Sequence, residues 1–98
     1  IFYENPQMDG IFSSNDIMAT QCISYARSQG IRIPDDLRIV GYDDVSISSL
    51  IYPPLTTVRQ NYAELSKAAV RAIVDMVNQK TLKPLEVIPV ELIERKTT

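Results

Sequence analysis

The chain has 98 residues, room for one domain or part of one, and its 45% apolar and 22% charged residues describe a folded chain rather than a disordered one. A net charge of -2, from 10 Lys and Arg against 12 Asp and Glu, provides no basic field for nucleic acid. With no His and a single Cys, His-based triads, imidazole-ligated metals and internal disulfides are excluded.

Residues 10–13 form a short apolar segment opened by Asp9-Gly10, the pattern of a turn entering a strand. Asn15 or Asp16 then caps a helix by accepting its unpaired first-turn amides. Met18, Cys22 and Ala26 fall four apart, with Ala19 and Ile23 on the adjoining stripe. Gly30 supplies the left-handed position that stops this helix. Pro34 stiffens the connection that follows, and residues 37–42 read as a strand covered on both faces, with Gly41 allowing close backbone approach. Strand, helix and strand in succession predict a crossover in a parallel sheet.

Residues 45–52 allow a short helix ended by Pro53-Pro54, since neither proline has a backbone donor. Residues 55–60 read as extended, helped by Thr56, Thr57 and Val58. The clearest helix begins at Asn61, whose spacing to Glu64 is that of a capping box. Its apolar stripe is Leu65, Ala69, Ala72, Ile73 and Met76, and it is expected to stop near Asn78 or Gln79. A final strand is expected over residues 85–92, interrupted or edged by Pro89. No apolar run approaches the roughly 18 residues of a membrane span. Residues 1–9 lack both the pattern of a secretion signal and an initiator Met, so the chain is expected to begin inside a longer product or to have been cut there.

Three glycines cannot write a dinucleotide fingerprint or a Walker loop. Asp43 and Asp44 follow a strand expected to be central, where ligands gather in open parallel sheets. A carboxylate there can accept two hydroxyls of a polyol, or the pair can simply shape a turn. Asn15 offers both donor and acceptor to a sugar hydroxyl, against its plainer role as helix cap. Gln60 can bond a ligand or close a strand, and Tyr62 can stack on a ring or pack in a core. Arg59 can pair with a carboxylate or point into water. Cys22, Met18 and Met76 read as core fillers rather than chemistry. Leu50-Ile51-Tyr52 is a candidate subunit contact if exposed.

Taken together, several motifs resemble the C-terminal portion of the effector-binding region in the lactose/galactose-repressor family. They are Asp9-Gly10-Ile11-Phe12-Ser13-Ser14-Asn15-Asp16-Ile17-Met18-Ala19, Gly30-Ile31-Arg32-Ile33-Pro34-Asp35-Asp36-Leu37, Val40-Gly41-Tyr42-Asp43-Asp44, Pro53-Pro54-Leu55-Thr56-Thr57-Val58-Arg59-Gln60 and Glu91-Leu92-Ile93-Glu94-Arg95. The resemblance covers nearly the whole chain. It implies a three-layer parallel-sheet α/β fold of periplasmic-binding-protein type, present as a partial unit. Residues 1–60 are then part of the C-terminal effector-binding subdomain. Residues 61–84 are a helix and connection of the N-terminal subdomain, and 85–98 a returning strand and chain end.

The same resemblance implies a non-enzymatic, effector-sensing and dimerising part of a cytoplasmic transcriptional repressor. Its effector is a small polar molecule such as a sugar, contacted by Asn15, Asp43, Gln60 and Tyr62, while Asp16 is structural. No cofactor, metal or membrane is implied, and DNA is reached only through a helix-turn-helix absent from this chain. A periplasmic or extracellular sugar-binding protein of a transporter is the alternative. The stripe of the helix from Asn61 is expected to need a cover that a fragment lacks, so the chain is expected to associate with another copy, to exchange an element, or to have been cut from a larger folded protein.

Overall fold

The computed structural model describes residues 1–98, in the order β1 (Gly10–Phe12), α1 (Asp16–Ser28), β2 (Arg38–Tyr42), α2 (Ile47–Leu50), β3 (Thr56–Gln60), α3 (Tyr62–Val77) and β4 (Val90–Ile93). The strands form one sheet in the order β1-β2-β3-β4. β1 pairs with β2 in parallel, Gly10 opposite Arg38 and Phe12 opposite Val40. β2 pairs with β3 in parallel, Val40 opposite Thr56 and Tyr42 opposite Val58. The chain divides into two compact units, Ile1–Arg59 with Glu91–Thr98, and Gln60–Val90.

In the first unit, α1 lies against β2 because its buried residues Ala19, Ile23 and Ala26 recur at helical spacing. The two alanines let the helix approach closely, and Leu37, Ile39 and Leu55 complete the core from the sheet side. Burying an Ile or Leu is worth about 1.5–3 kcal/mol, so these few side chains carry much of the unit's stability. α1 ends as its Gly30 foretells. Gly30, at φ 74°, donates to the Arg27 carbonyl at 3.0 Å, and Ile31 donates to the Ala26 carbonyl at 3.0 Å. That pair of bonds is the glycine-terminated Schellman end. The following turn is clamped by Asp36, whose carboxylate takes the Arg32 guanidinium at 2.7 and 2.8 Å and the Arg32 amide at 3.0 Å.

The end of the chain belongs to the same unit. Thr97 is fully buried; its hydroxyl donates to the Ile39 carbonyl at 2.6 Å and accepts from the Thr56 amide at 2.9 Å. Its own carbonyl takes the Ile39 amide at 2.9 Å, so the residue ties β2 to β3 where their ladder begins.

The second unit is built on α3. Asn61 caps it through Oδ1, which accepts the Glu64 amide at 3.1 Å, while the Glu64 carboxylate meets Lys67 at 3.1 Å. Its C-terminus has the two bonds of a Schellman end, Gln79 to the Met76 carbonyl and Lys80 to the Asp75 carbonyl. Here the left-handed residue is Gln79, at φ 55°, instead of glycine. Of α3 only Ala68 is buried.

Three expectations need correction. The final strand is Val90–Ile93 and not 85–92: Pro89 has no amide to give the ladder, so pairing starts after it. Met18 and Met76 are not core fillers, being 51% and 62% exposed. Their helical spacing marks a face and says nothing of what covers it. Cys22 is half-buried, packed against the core cluster from its margin.

Candidate functional site at the strand ends

Parallel strands place their C-terminal ends on one edge of the sheet, and the register decides which residues emerge there. Phe12 and Val40 are opposite partners in β1 and β2. Asn15 and Asp43 each lie three residues further on, so they leave the same edge from adjacent strands, about 4.8 Å being the usual spacing between such strands. Both are half-buried. The ladder is carried past β1 by the Ser13 amide, which donates to the Val40 carbonyl at 2.8 Å. The Ser13 hydroxyl then donates to the Asn15 carbonyl at 2.9 Å and holds the entry to α1.

Asn15 is the N-cap of α1, with Oδ1 accepting the Met18 amide at 2.9 Å. The cap engages only the amide oxygen, so what Asn15 can bring to a ligand is its Nδ2 donor pair. Asp43 and Asp44 form a turn at the end of β2, both left-handed, at φ 108° and 52°. Such conformations are uncommon outside glycine and cost of order 1–3 kcal/mol each, a cost that surrounding contacts must offset. The Asp43 amide donates to the Val58 carbonyl at 2.8 Å. The Asp44 carboxylate is gripped by Arg59 and by Arg95, each at 2.7 Å. Burial works to raise this carboxyl, but hydrogen bonds from Arg95 and Arg59 outweigh it and hold it below the usual carboxylate range.

Beneath the turn lies Asp16, 1% exposed. Its carboxylate accepts the Val45 amide at 2.8 Å, the Ser48 hydroxyl at 2.6 Å and the Thr57 hydroxyl at 2.5 Å. One carboxylate therefore joins α1, the start of α2 and β3. Gly41 makes room for it, since a Cβ there would collide with Asp16 Oδ1 and come within 2.9 Å of Leu55. No buried side-chain polar atom is without a hydrogen-bond partner.

Of the residues singled out from sequence, Asn15 and Asp43 share one edge of the first unit. Gln60 is the last residue of β3, half-buried, and Tyr62 the first of α3, half-exposed; both belong to the second unit. Sequence reasoning offered Arg59 a carboxylate partner, which is Asp44, but missed the reach of Asp16 and the Arg95 arm of the clamp on Asp44. Gly41 was a usable signal for a close neighbour, whereas nothing local marks Arg95 as the partner of a residue 51 positions away. No set of His, Cys, Asp or Glu is placed to hold a metal ion, and no helix is long and apolar enough to cross a membrane.

Parallel strands that end in polar side chains at one carboxyl edge define an open α/β sheet of the class whose ligands gather at that edge. Residues 2–98 match the periplasmic binding protein-like domain family. The chain is 35% identical to the ribose operon repressor of Bacillus subtilis (strain 168), over 100% of this chain and 30% of that repressor. It resembles the solved structure of the transcriptional regulator CelR in complex with cellobiose, with TM-score 0.90 and 28% identity over 99% of this chain and 30% of that one. It also resembles a lac repressor dimer bound to operator and the anti-inducer ONPF, with TM-score 0.89 and 31% identity over 99% of this chain and 34% of that one. The chain belongs to the periplasmic binding protein-like domain family, in the form found in the effector-binding region of LacI/GalR-type repressors. It spans 30% of the length of the ribose operon repressor that it matches.

Proposed function

We propose that this chain is the effector-sensing part of a cytoplasmic transcriptional repressor whose effector is a sugar or a similar small polar metabolite. The observation that carries the reading is the register that brings Asn15 and Asp43 out of adjacent parallel strands on one edge. A sugar hydroxyl both donates and accepts. The Asp43 carboxylate accepts a hydrogen bond from the hydroxyl, and the Asn15 amide nitrogen donates one to its oxygen. No step of this is catalytic; the relatives described above are repressors and regulators. They favour this reading over a transporter's binding protein.

Effector binding acts by favouring one conformation over another, and it shifts DNA affinity only through the difference in its affinity for the two. DNA itself is contacted by a helix-turn-helix outside this chain, and the protein acts as a homodimer. Leu50 and Tyr52, 77% and 76% exposed, form part of the dimer contact, with the Arg27 guanidinium 5.4 Å from the Tyr52 ring centre; Ile51 turns instead to the core.

Calorimetry of the full protein with D-ribose and with cellobiose tests the reading. Binding of one of them, weakened about tenfold or more by Asp43→Asn with the fold retained, is expected, since an ionised acceptor is roughly twice as strong as a neutral one and the site loses its charge. Binding unaffected by Asp43→Asn contradicts the assignment.

A further inference from the structure

We infer that Arg95 is a positioning residue for effector recognition, fixing the Asp43 carboxylate through its grip on Asp44. The inference rests on the sensing site proposed above. Asp43 and Asp44 share one turn, and both of its residues are left-handed, so the direction in which Asp43 leaves the strand depends on the turn being held. Backbone bonding is uneven across that turn. The Asp43 amide is well bonded to Val58, but the Asp44 amide reaches the Thr57 hydroxyl only at 3.4 Å. The Asp44 carboxylate adds a side-chain hold on the turn, with one oxygen on Arg59 and the other on Arg95.

The two arginines are not equivalent. Arg59 is half-exposed and is shared with Glu91 at 3.9 Å, so solvent and a competing charge loosen it. Arg95 is largely covered, and its guanidinium is held at two points. One nitrogen donates to the Leu55 carbonyl at 2.9 Å while another meets Asp44 at 2.7 Å. Its backbone is anchored as well, with its amide on the Thr56 hydroxyl at 2.9 Å and Thr97 wedged between Ile39 and Thr56 two residues on. The chain end thus fixes Arg95, Arg95 fixes Asp44, and Asp44 sets its neighbour. A planar fork is needed for this, because a lysine ammonium at the same place cannot span the Leu55 carbonyl and Asp44 in fixed geometry.

The test is a thermodynamic cycle on the full protein, titrated with D-ribose and with cellobiose. Arg95→Lys keeps the charge and spares the core, and Asp44→Asn provides a second variant should the first fail to fold. Either is expected to weaken sugar binding by about tenfold in the otherwise unaltered protein, and by less than about twofold when Asp43→Asn is already present, because a positioning effect vanishes with the group it positions. Equal weakening in both backgrounds, or none in the first, overturns the inference. Amide hydrogen exchange gives the readout that needs no ligand: the Asp43 and Asp44 amides are expected to exchange faster in Arg95→Lys, and unchanged exchange overturns it. If the unaltered protein binds neither sugar, the sensing site fails on its own terms, while exchange still decides whether Arg95 holds the turn.

Discussion

The two units of the chain use similar helical patterns to different ends. In Ile1–Arg59 with Glu91–Thr98, the stripe of α1 meets Leu37, Ile39 and Leu55, and the polar groups behind it converge on Asp16. In Gln60–Val90, α3 is the more regular amphipathic helix, yet Leu65, Ile73 and Met76 stay exposed and only Ala68 is buried. An apolar stripe is therefore a statement that a face is built for burial, and the partner must be sought separately. The first unit has its partner within the chain, while the second is patterned for more contact than these 98 residues supply.

The largest effect that separates them is expected at Asp16. Asp16→Ala strands two buried hydroxyls and an amide, and costs roughly 3 kcal/mol or more in a urea unfolding experiment, since each abandoned donor is worth about 1–3 kcal/mol. The matching change in the second unit, Ile73→Ala, is expected to cost no more than about 0.5 kcal/mol, as for other exposed positions. A large loss at Ile73 would mean that the stripe is covered in solution, by a second copy or by further chain.

Acid sharpens the contrast in another way. Hydrogen bonds from the Arg32 side chain, and then its backbone, lower Asp36 to about 2, and Asp44 is lowered by its arginines. A carboxylate whose folded value lies below its unfolded value of about 3.9 contributes stability above that value. The contribution is lost as pH falls toward the folded value. Stability of the first unit is thus expected to decline between about pH 4 and pH 2, and the decline should shrink in Asp36→Asn and Asp44→Asn. A pH dependence unaltered by both substitutions would contradict these ion pairs.

The smallest expected effect has the opposite sign. Gln79 occupies the left-handed position that Gly30 fills in the first unit, so Gln79→Gly is expected to stabilise α3 by a few tenths to about 1 kcal/mol in thermal unfolding, the relieved backbone strain being partly offset by glycine's freedom when unfolded. Destabilisation would show that the Gln79 side chain contributes to the helix end.

These elements also show how far the sequence could be read. The stop of α1 was legible in Gly30, and the start of α3 in Asn61, because caps are local chemistry written within four residues. The parallel β1, α1, β2 succession was legible from the change of period. The beginning of β4 was not, because the apolar residues between Pro84 and Pro89 look like strand although Leu85 and Val87 stay exposed. Of the candidate site, Asn15 and Asp43 stood out by their places after strands. Arg59 was legible as a partner for some carboxylate but not for Asp44 in particular, and Arg95 not at all, since Asp44 lies 15 and 51 residues from them and no local pattern encodes a contact at that separation.

The most direct test is a crystal structure of the full protein with whichever of D-ribose and cellobiose calorimetry shows to bind. The bound molecule is expected to place a hydroxyl between the Asn15 side-chain nitrogen and the Asp43 carboxylate, within hydrogen-bond distance of both. A sugar seated away from the carboxyl edge of β1 and β2, touching neither residue, would contradict the account.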